Sequence, residues 1–137
     1  MDTCPHLGFP GNCEEALHFY EQVLGAKVLF LSRYQDTPMA AHVPPDFSGK
    51  VIHATFTIGD SRLMASDAPP DRYSKPHGIA ITLEASSAQE GEKAFHALTV
   101  GGEVHMPFQK TYWSPGFGMG CDQFGIPWMV NTAQPQS

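Results

Sequence analysis

Gly11-Asn12-Cys13-Glu14-Glu15-Ala16-Leu17-His18-Phe19-Tyr20-Glu21-Gln22-Val23-Leu24-Gly25-Ala26-Lys27-Val28 decides how the rest of the chain is read. Ala16, Leu17, Phe19, Tyr20, Val23 and Leu24 recur at helical spacing, which predicts an amphipathic helix. Asn12 is its N-cap, and Glu14 and Glu15 fall in the first turn, where the helix dipole favours acids. Gly25 supplies the stop, and Val28 to Leu31 reads as the strand that follows. A short apolar stretch, Pro5 to Phe9, precedes the helix as a first strand.

Working outward, residues 35–50 are loop-like, with Pro38, Pro44, Pro45 and Gly49. Val51 to Ile58 alternates as a strand, Gly59-Asp60 marks a hairpin turn, and Arg62 to Ser66 returns. Pro69, Pro70 and Pro76 mark a linker over residues 68–76. The order then repeats. Gly78 to Leu83 is a strand, and Ser86 or Ser87 caps a helix that runs to about Val100 with Ala94, Phe95, Leu98 and Thr99 inward. Val104 to Phe108 is a strand, Thr111 to Gly120 a loop rich in aromatics and glycine, and Ile126 to Thr132 the last strand. Val100-Gly101-Gly102-Glu103-Val104 matches Leu24-Gly25-Ala26-Lys27-Val28 in kind: helix stop, turn, strand start. We read an internal duplication, with halves at about residues 4–67 and 77–133 of one α+β domain.

Composition narrows the function classes. The chain has 137 residues, 42% of them hydrophobic, which suits one domain with a real core. A net charge of −6 with scattered Lys and Arg argues against nucleic acid as a partner. No apolar run approaches the ~18 residues of a membrane span, and the start, Met1-Asp2-Thr3-Cys4-Pro5, lacks the basic and apolar regions of a signal peptide. Cys4, Cys13 and Cys121 are too few and too widely spaced for a disulfide framework, so free thiols in a reducing cytoplasm are expected. Cys13 sits near a helix N-terminus, a place that lowers a thiol pKa, although a buried structural thiol is the favoured reading.

Gly11-Asn12-Cys13-Glu14-Glu15-Ala16 with Phe19-Tyr20 and Leu24-Gly25-Ala26 resembles the PhnB-like branch of the glyoxalase/bleomycin-resistance (vicinal oxygen chelate) superfamily. Lys50-Val51-Ile52-His53-Ala54, Leu63-Met64-Ala65-Ser66-Asp67, Tyr112-Trp113, Phe117-Gly118 and Asp122-Gln123-Phe124-Gly125-Ile126-Pro127-Trp128-Met129 extend the likeness over nearly the whole chain. The resemblance implies two tandem βαβββ modules whose curved mixed or antiparallel sheets enclose a cavity. It also implies a homodimer, a partner that exposed strand edges favour independently. Related enzymes bind a divalent metal and act on small oxygen-bearing substrates. The branch also carries a demethylubiquinone methyltransferase label, but no glycine-rich nucleotide-binding turn follows a strand here.

Strand alternation gives a separate view of the cavity. Leu7 and Phe9, then Ile52, Ala54, Phe56 and Ile58, then Leu63 and Ala65, pack toward the helices. So do Ile79, Ile81 and Leu83, and Ile126, Trp128 and Val130. The opposite faces then present His6, His53, Thr55, Thr57, Met64, Ser66, Ala80, Thr82, Met129 and Asn131. Such a surface suits a small, weakly polar ligand. It equally suits a sheet face covered by loops or a second subunit. Trp113 and Phe117 either cover a ligand, pin their loop to the core or pack a partner subunit.

Metal-binding relatives draw ligands from the first and fourth strands of each half. Those places fall near His6, Met64, Gly78 and Met129, of which only His6 offers a ligand suited to the ions of this superfamily. No cofactor is therefore expected. If a divalent metal does bind, His6, His53 and His77 are the candidate trio, with Asp67 the nearest carboxylate. Three functions follow: a metal-independent small-molecule-binding protein, whether or not it is catalytic; a metal-dependent lyase, isomerase or dioxygenase; and a dimer that sequesters a drug or metabolite.

Overall fold

A computed structural model describes residues 1–133 of the chain. The chain divides into two compact units, the first running from Met1 to Ser74 and the second starting at Lys75.

The first unit runs β1 (His6–Phe9), α1 (Cys13–Leu24), β2 (Lys27–Arg33), β3 (Val51–Ile58) and β4 (Ser61–Asp67), with three short 3-10 turns between β2 and β3. Its four-stranded sheet has the order β1-β4-β3-β2. The β1–β4 pair is parallel and the other two pairs are antiparallel. Helix α1 closes at Gly25, whose φ of 68° lets the Ala26 amide donate to the Tyr20 carbonyl at 3.2 Å; only glycine adopts that backbone cheaply. The helix buries Ala16, Leu17 and Tyr20 in a core with Phe9, Ala54, Phe56, Leu63 and Ala65, and the Tyr20 and Phe56 rings stack at 6.2 Å.

Asn12 holds the N-cap position, but its side chain makes no capping hydrogen bond. The cap comes from β4 instead. Asp67, 2% exposed, accepts at Oδ1 from the amides of Gly11 (3.0 Å) and Cys13 (2.9 Å), and at Oδ2 from the amide of Val51 (2.9 Å). Its carbonyl accepts from the Tyr34 hydroxyl at 2.8 Å. One carboxylate thus joins the end of β4 to the start of α1 and the start of β3, and accepts from three backbone donors, two of them buried.

The second unit repeats the order with β5 (Ile81–Ala85), α2 (Ala88–Thr99), β6 (Glu103–Gln109), β7 (Phe117–Cys121) and β8 (Pro127–Thr132). Its sheet is β5-β8-β7-β6, again with the first and last strands parallel. Ser87 caps α2 by accepting from the Glu90 amide at 3.1 Å. Asp122 plays the organising part here. It accepts from the amides of Phe124 and Ile126 at 2.9 and 3.0 Å, and from the buried Trp128 indole at 2.8 Å. Two mixed four-stranded sheets, each with one helix, make this an α+β fold, with the second unit repeating the strand order of the first.

Two expectations are corrected. β5 starts at Ile81, not Gly78. Gly78 has a φ of 78°, outside strand geometry, and Ile79 is 77% exposed rather than packed. The stretch Thr111 to Gly120 is not all loop, because β7 occupies its end. Gly118 and Gly120 looked like turn residues, yet they serve close packing. A Cβ on Gly118 would lie 2.9 Å from the Phe95 ring of α2, and one on Gly120 would lie 2.4 Å from the Glu103 carbonyl of β6.

Asp67→Ala leaves three backbone donors without their acceptor and is expected to cost about 3–5 kcal/mol. Asp67→Asn, which turns a donor toward some of them, falls between alanine and wild type. Urea unfolding of the three proteins measures this; a loss under about 1 kcal/mol for the alanine variant contradicts the account.

Candidate functional site

Each sheet has a face turned away from its helix. In the first unit the register places His6 opposite Met64, Met64 opposite Thr55, and Thr55 opposite Phe30, a row that crosses all four strands. Ser66 and His53 flank it. His6 Nε2 lies 2.8 Å from Ser66 Oγ, His53 Nε2 lies 3.3 Å from Thr55 Oγ1, and the two imidazoles are 6.3 Å apart. The structure therefore brings His6, His53, Thr55, Met64 and Ser66 together.

Phe30 was not foreseen. It is 56% exposed and its ring lies 6.2 Å from that of His53. A bulge between Val28 and Phe30 breaks the alternation of β2. That break hides Phe30 from a period-2 reading.

In the second unit Met129 lies between Thr82 and Met119, and Asn131 lies between Glu84 and Phe117. Trp113 meets Phe117 edge-on at 5.4 Å, and Tyr112 meets Trp113 edge-on at 4.7 Å. Buried Ser114 holds the aromatic loop. Its hydroxyl donates to the Gly116 carbonyl at 2.8 Å, and its own carbonyl accepts from the Thr111 amide at 3.0 Å. His77 lies in this unit, exposed and ahead of β5.

The electrostatics favour a neutral site in the first unit. Partial burial lowers the His6 pKa from its ordinary value, and nearby His53 adds to the effect. A neutral imidazole beside a hydroxyl both donates and accepts, which suits an uncharged polar ligand.

A divalent metal is not well served. The parallel first–fourth pairs are His6 with Met64 and Thr82 with Met129. Register thus replaces Gly78 by Thr82 as the counterpart of His6. Neither pair, an imidazole with a thioether or a hydroxyl with a thioether, offers the nitrogen and carboxylate ligands that such an ion requires. Among the described residues, no group of three or more His, Cys, Asp or Glu is placed to hold one. Asp67 belongs to the helix-packed side, where backbone amides already occupy it.

Two other features are structural. Cys13 is fully buried, and burial pushes its thiol pKa up, with Asp67 and Glu14 adding; the helix N-terminus does not activate it. A cleft of about 240 Å³ beside α1 is lined by Asn12, Glu14, His18, Arg33 and Lys50 among others. Arg33 already forks onto Glu14 there, at 2.7 and 3.1 Å.

Comparison with known proteins agrees with the fold. Residues 5–130 match the profile of the Glyoxalase/Bleomycin resistance protein/Dioxygenase superfamily. Protein YjdN of Escherichia coli (strain K12) is 34% identical over 146 residues, covering 99% of this chain and 98% of that protein. The crystal structure of protein PA1353 from Pseudomonas aeruginosa superposes with a TM-score of 0.87 at 40% identity, covering 98% and 99% of the two chains. The PhnB protein from Bacillus cereus gives a TM-score of 0.82 at 27% identity over 97% and 100%. No described helix is long and apolar enough to cross a membrane.

The depressed His6 pKa has a pH consequence. Between the ordinary value near 6.5 and the lower folded value, the unfolded chain binds the extra proton, so stability rises with pH. The contribution is fully present above the ordinary value and is lost as pH falls through the folded one. Histidine titration by proton NMR is expected to place His6 below the ordinary value near 6.5; a His6 value at or above it contradicts this.

Proposed function

Starting from the fact that the chain belongs to the Glyoxalase/Bleomycin resistance protein/Dioxygenase superfamily, we propose that it binds a small, weakly polar molecule on its helix-free sheet faces without a resident metal. The observation that carries this reading is the row His6–Met64–Thr55–Phe30. It offers a thioether and a ring for apolar contact, and an imidazole and a hydroxyl for orientation. His53 and Ser66 add two polar groups beside the row. Trp113, Phe117 and Met129 supply the corresponding apolar surface in the second unit.

The proposal includes a homodimer and a cytoplasmic location. Leu29 and Phe30 on edge strand β2 are 62% and 56% exposed, and Val104 on edge strand β6 is 52% exposed; uncovered apolar edges favour association.

A thermal-shift screen of small uncharged and weakly polar compounds tests the binding reading. A ligand at 100 times its Kd adds about 2.7 kcal/mol, which raises Tm by several degrees. Met64→Glu places an unpaired charge in the middle of the row and is expected to abolish the shift of every compound that binds there. Wild-type shifts that survive unchanged in this variant would remove the row from the site.

A further inference from the structure

Thiol, imidazole and thioether groups meet where β6 pairs with β7. Strand β6 carries a bulge between Val104 and Met106. Val104 pairs with Gly120 and Met106 with Met119, so His105 is the extra residue. Its Nε2 lies 3.5 Å from Cys121 Sγ on β7. Met106 stands opposite Met119, and Met119 opposite Met129, so three thioethers form one row across β6, β7 and β8. Met119 and Cys121 share a face of β7, because Gly118 and Gly120 alternate with them and pack against Phe95 and Thr99 of α2. Same-face residues two apart in a strand stand about 6.6 Å from each other, and diagonal neighbours on paired strands about 7–8 Å, within reach of long side chains. Met119 stands in the first relation to Cys121 and Met106 in the second.

The Cys121–His105 contact does not read as a nucleophile with its base. Burial raises the Cys121 thiol pKa, Glu103 and Asp122 add to the rise, and Lys75 opposes it. An activated thiol needs the reverse. The spacing suits two ligands of one ion instead. For bonds of about 2.3 Å to sulfur and about 2.0 Å to nitrogen, a tetrahedral angle sets the two ligand atoms about 3.5 Å apart. The nearest hard donor is Glu103, whose Oε2 lies 3.6 Å from His105 Nε2 on a side chain 72% exposed. Among the described residues, no three of His, Cys, Asp and Glu are placed together for a divalent ion. Thioethers complete a set for a soft monovalent ion, and not for a harder divalent one.

We propose that Cys121, His105, Met119 and Met106 form a site for a soft monovalent metal ion of the Cu(I) class. Sγ and Nε2 make the two strong bonds, and the two thioethers complete the shell. The thiol proton passes to solvent as the ion binds, and the ion keeps its oxidation state throughout. None of these four residues belongs to the small-molecule surface described above, so the site goes beyond that reading.

Silver(I), a redox-inert ion of the same class, tests the site. Silver nitrate is titrated in chloride-free buffer into the whole protein carrying Cys4→Ser, which removes the other thiol outside the core. NMR follows the methionine methyl and histidine ring signals. One equivalent is expected to bind, moving the His105, Met106 and Met119 signals together. Cys121→Ser is expected to weaken binding about 100-fold and Met119→Leu about tenfold, whereas zinc(II) leaves the same signals unmoved. Silver held with the His105 and methionine signals unmoved, or held as tightly by Met119→Leu, would reduce the site to a plain thiol and overturn the proposal. Absence of binding, or zinc bound as tightly as silver, would also overturn it. The signals of the Cys4→Ser protein decide the matter even if the other variants do not fold. No outcome bears on the His6–Phe30 row, which Met64→Glu tests separately.

Discussion

A single buried carboxylate organises the first half of the molecule. Asp67 sits where β4 ends, and the amides of Gly11, Cys13 and Val51 converge on its two oxygens. Those amides belong to the turn before α1, to the first residue of α1 and to the first residue of β3. The helix entry, the central antiparallel strand and the parallel β1–β4 pair are thereby held to one point. The row from His6 to Phe30 depends on that arrangement, because β4 carries Met64 and Ser66 on its open side and Leu63, Ala65 and Asp67 on its packed side. Alternation along one strand thus separates the group that holds the fold from the groups on the open face.

The second half solves the same problem differently. Thr132 stands where Asp67 stands, opposite Ala85 as Asp67 is opposite Phe9. A threonine hydroxyl cannot bind three amides. The work is divided between Ser114, whose hydroxyl bonds Gly116, and Asp122, which holds the β7–β8 turn and the Trp128 indole. The two units therefore share strand order while diverging in chemistry: the first face has a pair of histidines, the second has Met129 and Met119 with Phe117 and Trp113.

Much of this was legible in the sequence. β3 appears at Val51–Ile58 as expected, with Ala54 and Phe56 buried and His53, Thr55 and Thr57 between and beside them on the other face; the alternation fails only at its start, where Val51 rather than Ile52 is buried. His6, His53, Thr55, Met64 and Ser66 come together because their strands keep that alternation. The misses occur where alternation fails or where glycine has a second meaning. A bulge in β2 concealed Phe30, and Gly118 and Gly120 concealed β7 because they make room for Phe95 and for the backbone of β6. Asp67 was visible as a carboxylate at a strand end, but its burial was not, since the amides that hold it are distant in sequence. The counterpart of His6 was misplaced at Gly78 because strand registry, which assigns Thr82, is a property of pairing between strands.

The central claim is that the open sheet faces serve a ligand without a resident metal. Elemental analysis of untagged protein, purified without chelators and then equilibrated with zinc, nickel, manganese or iron(II), tests it most directly. The account predicts metal far below one equivalent per chain, and the same value for His6→Ala. Stoichiometric metal that disappears in the His6→Ala protein would contradict it and identify His6 as a ligand.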